Sequence, residues 1–249
     1  MLKGYTKQEI SWMMYDWANS AHSVIIVTLL PIFFDTVAGY TADSVSSMST
    51  WGYATSIAML IVALAAPFLG VFGDIRGMRK KLFSFFMLLG VAACAGMAFT
   101  PGMDFTSGPV AAGKVASLIL VLYIVSVIGF DASAIYYDAF LTDVTIEDRM
   151  DKVSTMGYGL GYIGGSTIPL LIFLIMNLVG VPMLTCLAFV FGLTAVWWLA
   201  FSLPLLKNCE QTSGKPYEKG DVARSIKGVG TTIKEIIANK PMLIYILSY

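Results

Sequence analysis

Apolar and polar positions along this chain alternate in long blocks, not residue by residue. Six apolar stretches, Ser11–Phe34, Trp51–Phe72, Leu82–Thr100, Val115–Tyr137, Val153–Val179 and Val181–Leu206, are joined by shorter polar connections. A helix rising 1.5 Å per residue needs about 20 mostly apolar residues to cross roughly 30 Å of hydrocarbon. The pattern therefore predicts six transmembrane helices. Another apolar stretch opens at Pro241 and has run nine residues by Tyr249, which reads as the start of a seventh span. Lys207 to Lys240 forms the one extended polar segment. Within it Val222, Ile226, Val229, Ile233 and Ile236/Ile237 recur at three- and four-residue steps, with Arg224, Lys227 and Lys234 between them. That spacing suits an amphipathic helix on the inner membrane surface. Gly228 and Gly230 lower helix propensity there, so a solvated, partly helical linker between bundles fits the same residues.

Composition excludes several classes. Hydrophobic residues make up 57% and charged residues 13%, at a mean hydropathy of +0.76. A water-facing domain carries about 25% charge, so the chain is expected to be an integral membrane protein with the lipid bilayer as its first partner. Zero net charge removes the basic footprint of a nucleic-acid binder. Cys94, Cys186 and Cys209 have neither metal nor disulfide-framework spacing. One histidine is too few for a metal-dependent hydrolase, and no nucleophile stands with a base. No metal, no cofactor and no enzymatic activity are expected. Fifteen of the sixteen Lys and Arg residues fall on one side of the predicted spans, and Lys114 alone on the other. Basic residues are retained in the cytoplasm, so the N-terminus and the Lys207–Lys240 segment are expected inside, in a plasma (inner) membrane sooner than an organelle. Asp16, Asn19 and His22 make the first span unlike a plain signal core.

The informative residues are those that cost free energy in hydrocarbon. A charge at the centre of a membrane helix costs at least about 2.5–3.5 kcal/mol, so it normally faces a bundle interior or a wet cavity. Span one places Asp16, Asn19, Ser20 and Ser23 on one face, with His22 on its shoulder, about 120° from Asp16 at 3.6 residues per turn. Span four carries Asp131 and Asp138 seven residues apart, nearly on one face. His22 and Asp131 lie about 12–14 Å in from the inner ends of their spans, close to the midplane. Asp16, Asn19, His22 and Asp131 are the candidates for a substrate or proton site, with a structural His22–Asp131 hydrogen bond as the competing reading. Gly157, Gly161 and Gly165 repeat every four residues, a stripe that lets another helix approach closely. It lacks the strand and the acidic residue of a dinucleotide fingerprint.

Two stretches carry a resemblance. The turn between spans two and three, with Gly70, Asp74, Gly77, Arg79 and Lys80, resembles the signature loop of the major facilitator superfamily. Ile75 stands where that family has a basic residue, and Arg76 follows it. Tyr15-Asp16-Trp17-Ala18-Asn19-Ser20-Ala21 is similar to the opening of the vacuole effluxer-like branch, related to autophagy-linked amino-acid effluxers. Tyr137–Leu141, Lys152–Ser154 and Gly161–Gly165 agree with it. The resemblance covers spans one to six and implies an all-α integral membrane fold, the six-helix N-terminal bundle of that superfamily. Two such bundles would rock about a midplane site, the second lying in the same full-length chain or in a partner chain. Spans one and four would face the ligand. The implied function is secondary transport of a small solute, an amino acid or other small metabolite, coupled to protons. Arg76 or Arg79 is expected to pair with Asp138 as a conformational latch, with Asp74 facing the partner bundle. A single-bundle scaffold or regulatory protein is the alternative, and it leaves Asp16, His22 and Asp131 without a role.

Overall fold

The computed structural model describes residues 4–41, 47–216 and 221–248. Its elements are α1 (Lys7–Ala38), α2 (Ser47–Gly73), α3 (Arg79–Met97) with a 3-10 turn at Thr100–Gly102, and α4 (Pro109–Val144). Span five follows as α5 (Glu147–Leu160), a π-helical turn (Gly161–Ser166) and α6 (Thr167–Leu178), then α7 (Met183–Asn208), α8 (Asp221–Ala238) and α9 (Lys240–Ser248). Six of these helical runs are long and apolar enough to cross a membrane. Each runs past the apolar stretch that announces it at one end or both, α4 reaching 36 residues. The helix ends are polar because they protrude from hydrocarbon, where hydropathy no longer selects them. Gly228 and Gly230 do not interrupt α8.

α1 is the hub of the bundle. Over half of its apolar window, 56%, is buried, against 11% for α2, whose Tyr53, Leu60 and Leu64 point outward. Around α1 pack α4, span five and α7, and α3 closes the far side against α4 and α7. Trp198 of α7, Phe83 of α3 and Phe140 of α4 are fully buried between them.

Two glycine contacts set the closest helix approaches. At the α3–α4 crossing, a Cβ on Gly129 would stand 2.5 Å from the Gly90 nitrogen and 2.8 Å from the Phe86 carbonyl oxygen. Span five lies equally close on α1: Cβ atoms on Gly157, Gly161 and Gly165 would meet Asp16 Oδ2 at 2.7 Å, Ser20 Oγ at 2.6 Å and the Trp17 carbonyl oxygen at 2.4 Å. Gly164 rests on the Trp17 indole. In the π turn, where backbone pairing is wider than in an α-helix, the Thr167 hydroxyl donates to the Tyr162 carbonyl at 2.9 Å.

At the N-terminal end, Thr6 and Glu9 form a capping box that starts α1, with bonds of 2.7 and 3.1 Å. The same Glu9 side chain is 2% exposed and accepts from Arg149 Nε at 2.9 Å, Arg149 Nη2 at 2.8 Å and Thr145 Oγ1 at 2.7 Å. This clamp ties the start of α1 to the α4–α5 turn. Removing one partner of a buried ion pair costs about 3–5 kcal/mol, and Arg149, at 34% exposure, recovers part of that loss through water. Arg149→Ala is therefore expected to destabilise the bundle by about 3 kcal/mol, read as a lowered thermal midpoint of the detergent-purified protein. A midpoint equal to wild type would show that the cap and Thr145 hold Glu9 without Arg149.

Candidate functional site

Between α1, α4 and span five lies a cavity of about 430 Å³. On α1 it is lined by Asp16, Asn19, Ser20 and Ser23, the face that 3.6-residue spacing groups together. α4 contributes Phe130, Ala134, Tyr137 and Asp138, and span five contributes Tyr158, Tyr162 and Ser166. Its formal charge comes from two carboxylates, Asp16 and Asp138, which lie within electrostatic reach of each other. Among the described residues, neither forms an ion pair.

Aromatic side chains set the shape of the cavity. Tyr137 stacks on Trp12 at 4.3 Å between centroids, and its carbonyl accepts from Trp12 Nε1 at 2.9 Å. The Tyr137 hydroxyl is buried and lies close to the Asp16 carboxylate. Tyr158 and Tyr162 stand side by side, rings 4.8 Å apart and hydroxyls 3.1 Å apart, both more than half exposed. The cavity thus opens on a side that the described residues leave uncovered.

His22 and Asp131 are not brought together, contrary to the pairing by depth. His22 is 2% exposed, its Nε2 stands 3.2 Å from Ser126 Oγ, and its ring stacks on Phe130 and abuts Trp198. His22 Nδ1 and Asp131 Oδ2 are both buried without a hydrogen-bond partner. Neither residue lines the cavity. Helical phase accounts for their separation: His22 meets α4 at Ser126 and Phe130, and Asp131 lies about 100° round α4 from Phe130, on the face of Asp138.

The α2–α3 turn also departs from expectation. Gly70 accepts the Asp74 N–H at 3.1 Å, and Gly77 adopts φ +80, a left-handed conformation that favours glycine. Arg79 does not pair with Asp138. It pairs with Asp143 through Nη1 and Oδ2, donates to the Ala139 carbonyl at 2.9 Å, and stands 3.9 Å from Asp74. Asp138 and Asp143 lie about 140° apart on α4, so only Asp143 faces α3 while Asp138 faces the cavity. The Asp74 side chain is 81% exposed, and Arg76 is exposed with its backbone N–H bonded to the Lys215 carbonyl at 3.0 Å.

A strap covers this turn. Gln211 accepts from the Gly77 and Arg79 N–H groups at 2.8 and 3.2 Å and donates to the Gly73 carbonyl at 3.0 Å. Asp143 Oδ1 receives Thr212 N–H and hydroxyl at 3.0 and 2.9 Å, and Ser213 N–H and hydroxyl at 2.8 and 2.7 Å. The sequence reading missed the strap, along with Tyr137, Tyr158, Tyr162, Ser166 and Asp143. The run Gln211-Thr212-Ser213-Gly214, dense in short hydrogen-bonding side chains, was the available signal.

A family model described as vacuole effluxer Atg22 like matches residues 35–249. The chain is also similar to the uncharacterized MFS-type transporter YxiO of Bacillus subtilis (strain 168), at 38% identity over 257 residues. That similarity covers 100% of this chain and 57% of YxiO, so the chain spans little more than half the length of this relative. The Tyr15–Ala21 string precedes the family match but lies inside the similarity to YxiO. No solved structure matches the chain. With most of its length matched by the family model, the chain belongs to the vacuole effluxer Atg22-like family.

Proposed function

We propose that this chain is the first bundle of a secondary transporter that moves a small solute by alternating access, with the solute held in the α1/α4/α5 cavity. The supporting observation is the cavity itself: two carboxylates without cationic partners share one lining, at the expense that such groups carry in a membrane. A scaffold has no need of such a cavity. The second bundle, in the same protein or a partner chain, would cover the uncovered side. The N-terminus and the strap lie in the cytoplasm on this reading, because basic residues collect at that end. Asp74, exposed beside the strapped turn, then faces the second bundle as a latch. α8 rests on the inner membrane surface, with Val229 and Ile236 half-buried and Lys227 and Lys234 exposed.

Alternating access can be tested without knowing the solute. Cys94, Cys186 and Cys209 are buried, so this bundle adds little background to thiol reagents, and the unsubstituted protein is the control. Ser166→Cys in the complete gene product is expected to react with a small impermeant thiol reagent added from either side of the membrane. Bilayer-spanning access of this kind belongs to a rocking site. Reaction from neither side would overturn the proposal, and reaction from one side only would favour a static vestibule.

A further inference from the structure

We propose that the N-terminal end of α3 is a binding site for an anionic phospholipid, its phosphate held by Lys80 and Lys81 and an acyl chain lying along Phe85 and Leu88. The site shares no residue with the α1/α4/α5 cavity and does not depend on the transporter reading. Beside the strapped turn, another cavity of about 360 Å³ is lined by Gly77, Lys80, Lys81, Ser84, Glu210 and Gln211. Gln211 is tied through its amide to the backbone of Gly73, Gly77 and Arg79, so the folded strap shapes one wall of this recess. Two ammonium groups against the Glu210 carboxylate leave the lining with one positive charge in excess. Among the described residues, neither lysine forms an ion pair. A phosphodiester carries one negative charge and oxygen acceptors for both ammonium groups. Basic recesses at the cytoplasmic ends of membrane helices suit lipid head groups of this kind.

The rest of α3 argues for a lipid over a soluble phosphate. From Lys81 the same helix face continues as Phe85, Leu88 and Ala92, at steps of four, three and four residues that keep them within about 60° of arc. All are exposed, Phe85 at 60% and Leu88 at 49%. From Lys81 to Ala92 the helix rises about 16 Å, close to half of a roughly 30 Å hydrocarbon core. The stripe therefore has the depth of one leaflet, and it starts at the lysines. A soluble phosphate would fill the recess and leave the stripe unused. Charge then selects among lipids. A choline head group brings its own cation to a lining that already holds positive charge in excess, whereas a glycerol head group brings none. Glu210 opposes any anion, so it holds the affinity below what the two lysines alone would give.

The test separates head group, chain and charge. The complete gene product, purified in a neutral detergent, is titrated with dioctanoyl phosphatidylglycerol, dioctanoyl phosphatidylcholine, dioctanoylglycerol or glycerol 3-phosphate, and binding is read from thermal midpoints. Phosphatidylglycerol is expected to raise the midpoint saturably, and the other three to leave it unchanged at the same concentrations. Lys80→Gln and Lys81→Gln should each weaken phosphatidylglycerol binding several-fold, and together at least tenfold. Lys81 is exposed, so Lys81→Gln keeps the test open even if Lys80→Gln fails to fold. Phe85→Ala should weaken binding several-fold by removing the chain contact, and Glu210→Gln should tighten it. Lys215→Gln makes the same charge change at the same end of the bundle but outside the lining, and it should bind as wild type does. Phosphatidylcholine binding as well as phosphatidylglycerol would overturn the charge selection. Glycerol 3-phosphate matching the lipid, or Phe85→Ala binding like wild type, would make this a soluble-anion site and overturn the lipid. An equal loss in Lys215→Gln would reduce the effect to diffuse attraction, and the absence of saturable binding would remove the site altogether.

Discussion

Gly129→Ala should destabilise the bundle by about 3 kcal/mol, the upper part of the usual overpacking range. One methyl group has this effect because nothing near it can give way. The added Cβ would stand 2.5 Å from the Gly90 nitrogen, 2.7 Å from its Cα and 2.8 Å from the Phe86 carbonyl oxygen, all backbone atoms of α3. α3 cannot retreat freely, because the large Trp198 ring lies against Gly90 from the α7 side. Gly113 is the control in the same helix: its added Cβ meets nothing within 4 Å. There alanine should gain helix propensity, stabilising by up to about 1 kcal/mol. Unfolding of the two purified variants in detergent compares them directly. Equal stabilities would mean that α3 and α4 do not cross at Gly90 and Gly129.

Asp143→Ala should cost about 3–5 kcal/mol and release the strap. The Asp143 side chain is fully buried and its partner Arg79 is 5% exposed, so truncation strands a buried guanidinium. It also removes the oxygen that gathers Thr212 and Ser213. Cys209 reports the second effect, since it sits at the foot of the strap with its thiol 3.6 Å from the Gln8 carbonyl. Burial pushes that thiol up to about 12, so alkylation near neutral pH is slow. Release of the strap should accelerate it at least tenfold. Asp143→Asn separates the two contributions: the amide oxygen still accepts from Thr212 and Ser213, while the charge opposite Arg79 is lost. That variant should lose stability and keep Cys209 slow to react. Fast alkylation in Asp143→Asn would show that the ion pair, not the hydrogen bonds, holds the strap.

What the sequence discloses divides along a physical line. Hydrocarbon selects for apolar length, so six membrane-spanning helices are legible from Ser11 to Leu206. Their polar ends are not, and residues 138–144 of α4, which include Asp143, lie beyond the predicted span. Single-helix periodicity groups Asp16, Asn19, Ser20 and Ser23. It says nothing of how one helix is rotated against another, and that rotation separates His22 from Asp131 and gives Arg79 to Asp143 instead of Asp138. Tyr158 and Tyr162 read as spacers between glycines until α1 is placed beside them. The strap joins Gln211 to Arg79 across 132 residues, a contact with no local signature.

The π turn in span five has a consequence for angular phase. An α-helix advances about 100° per residue, so a repeat of four overshoots the full circle by about 40° at each step. Carried through an unbroken α-helix, the third glycine of the stripe would stand about 80° off the first. Yet Gly157, Gly161 and Gly165 all lie against α1. The wider turn at Gly161–Ser166 takes up the drift. The same correction acts on the residues one position later, Tyr158, Tyr162 and Ser166, all of which line the cavity. Span five therefore presents two parallel rails a residue apart, one of glycines set into α1 and one of hydroxyl groups along the rim of the cavity.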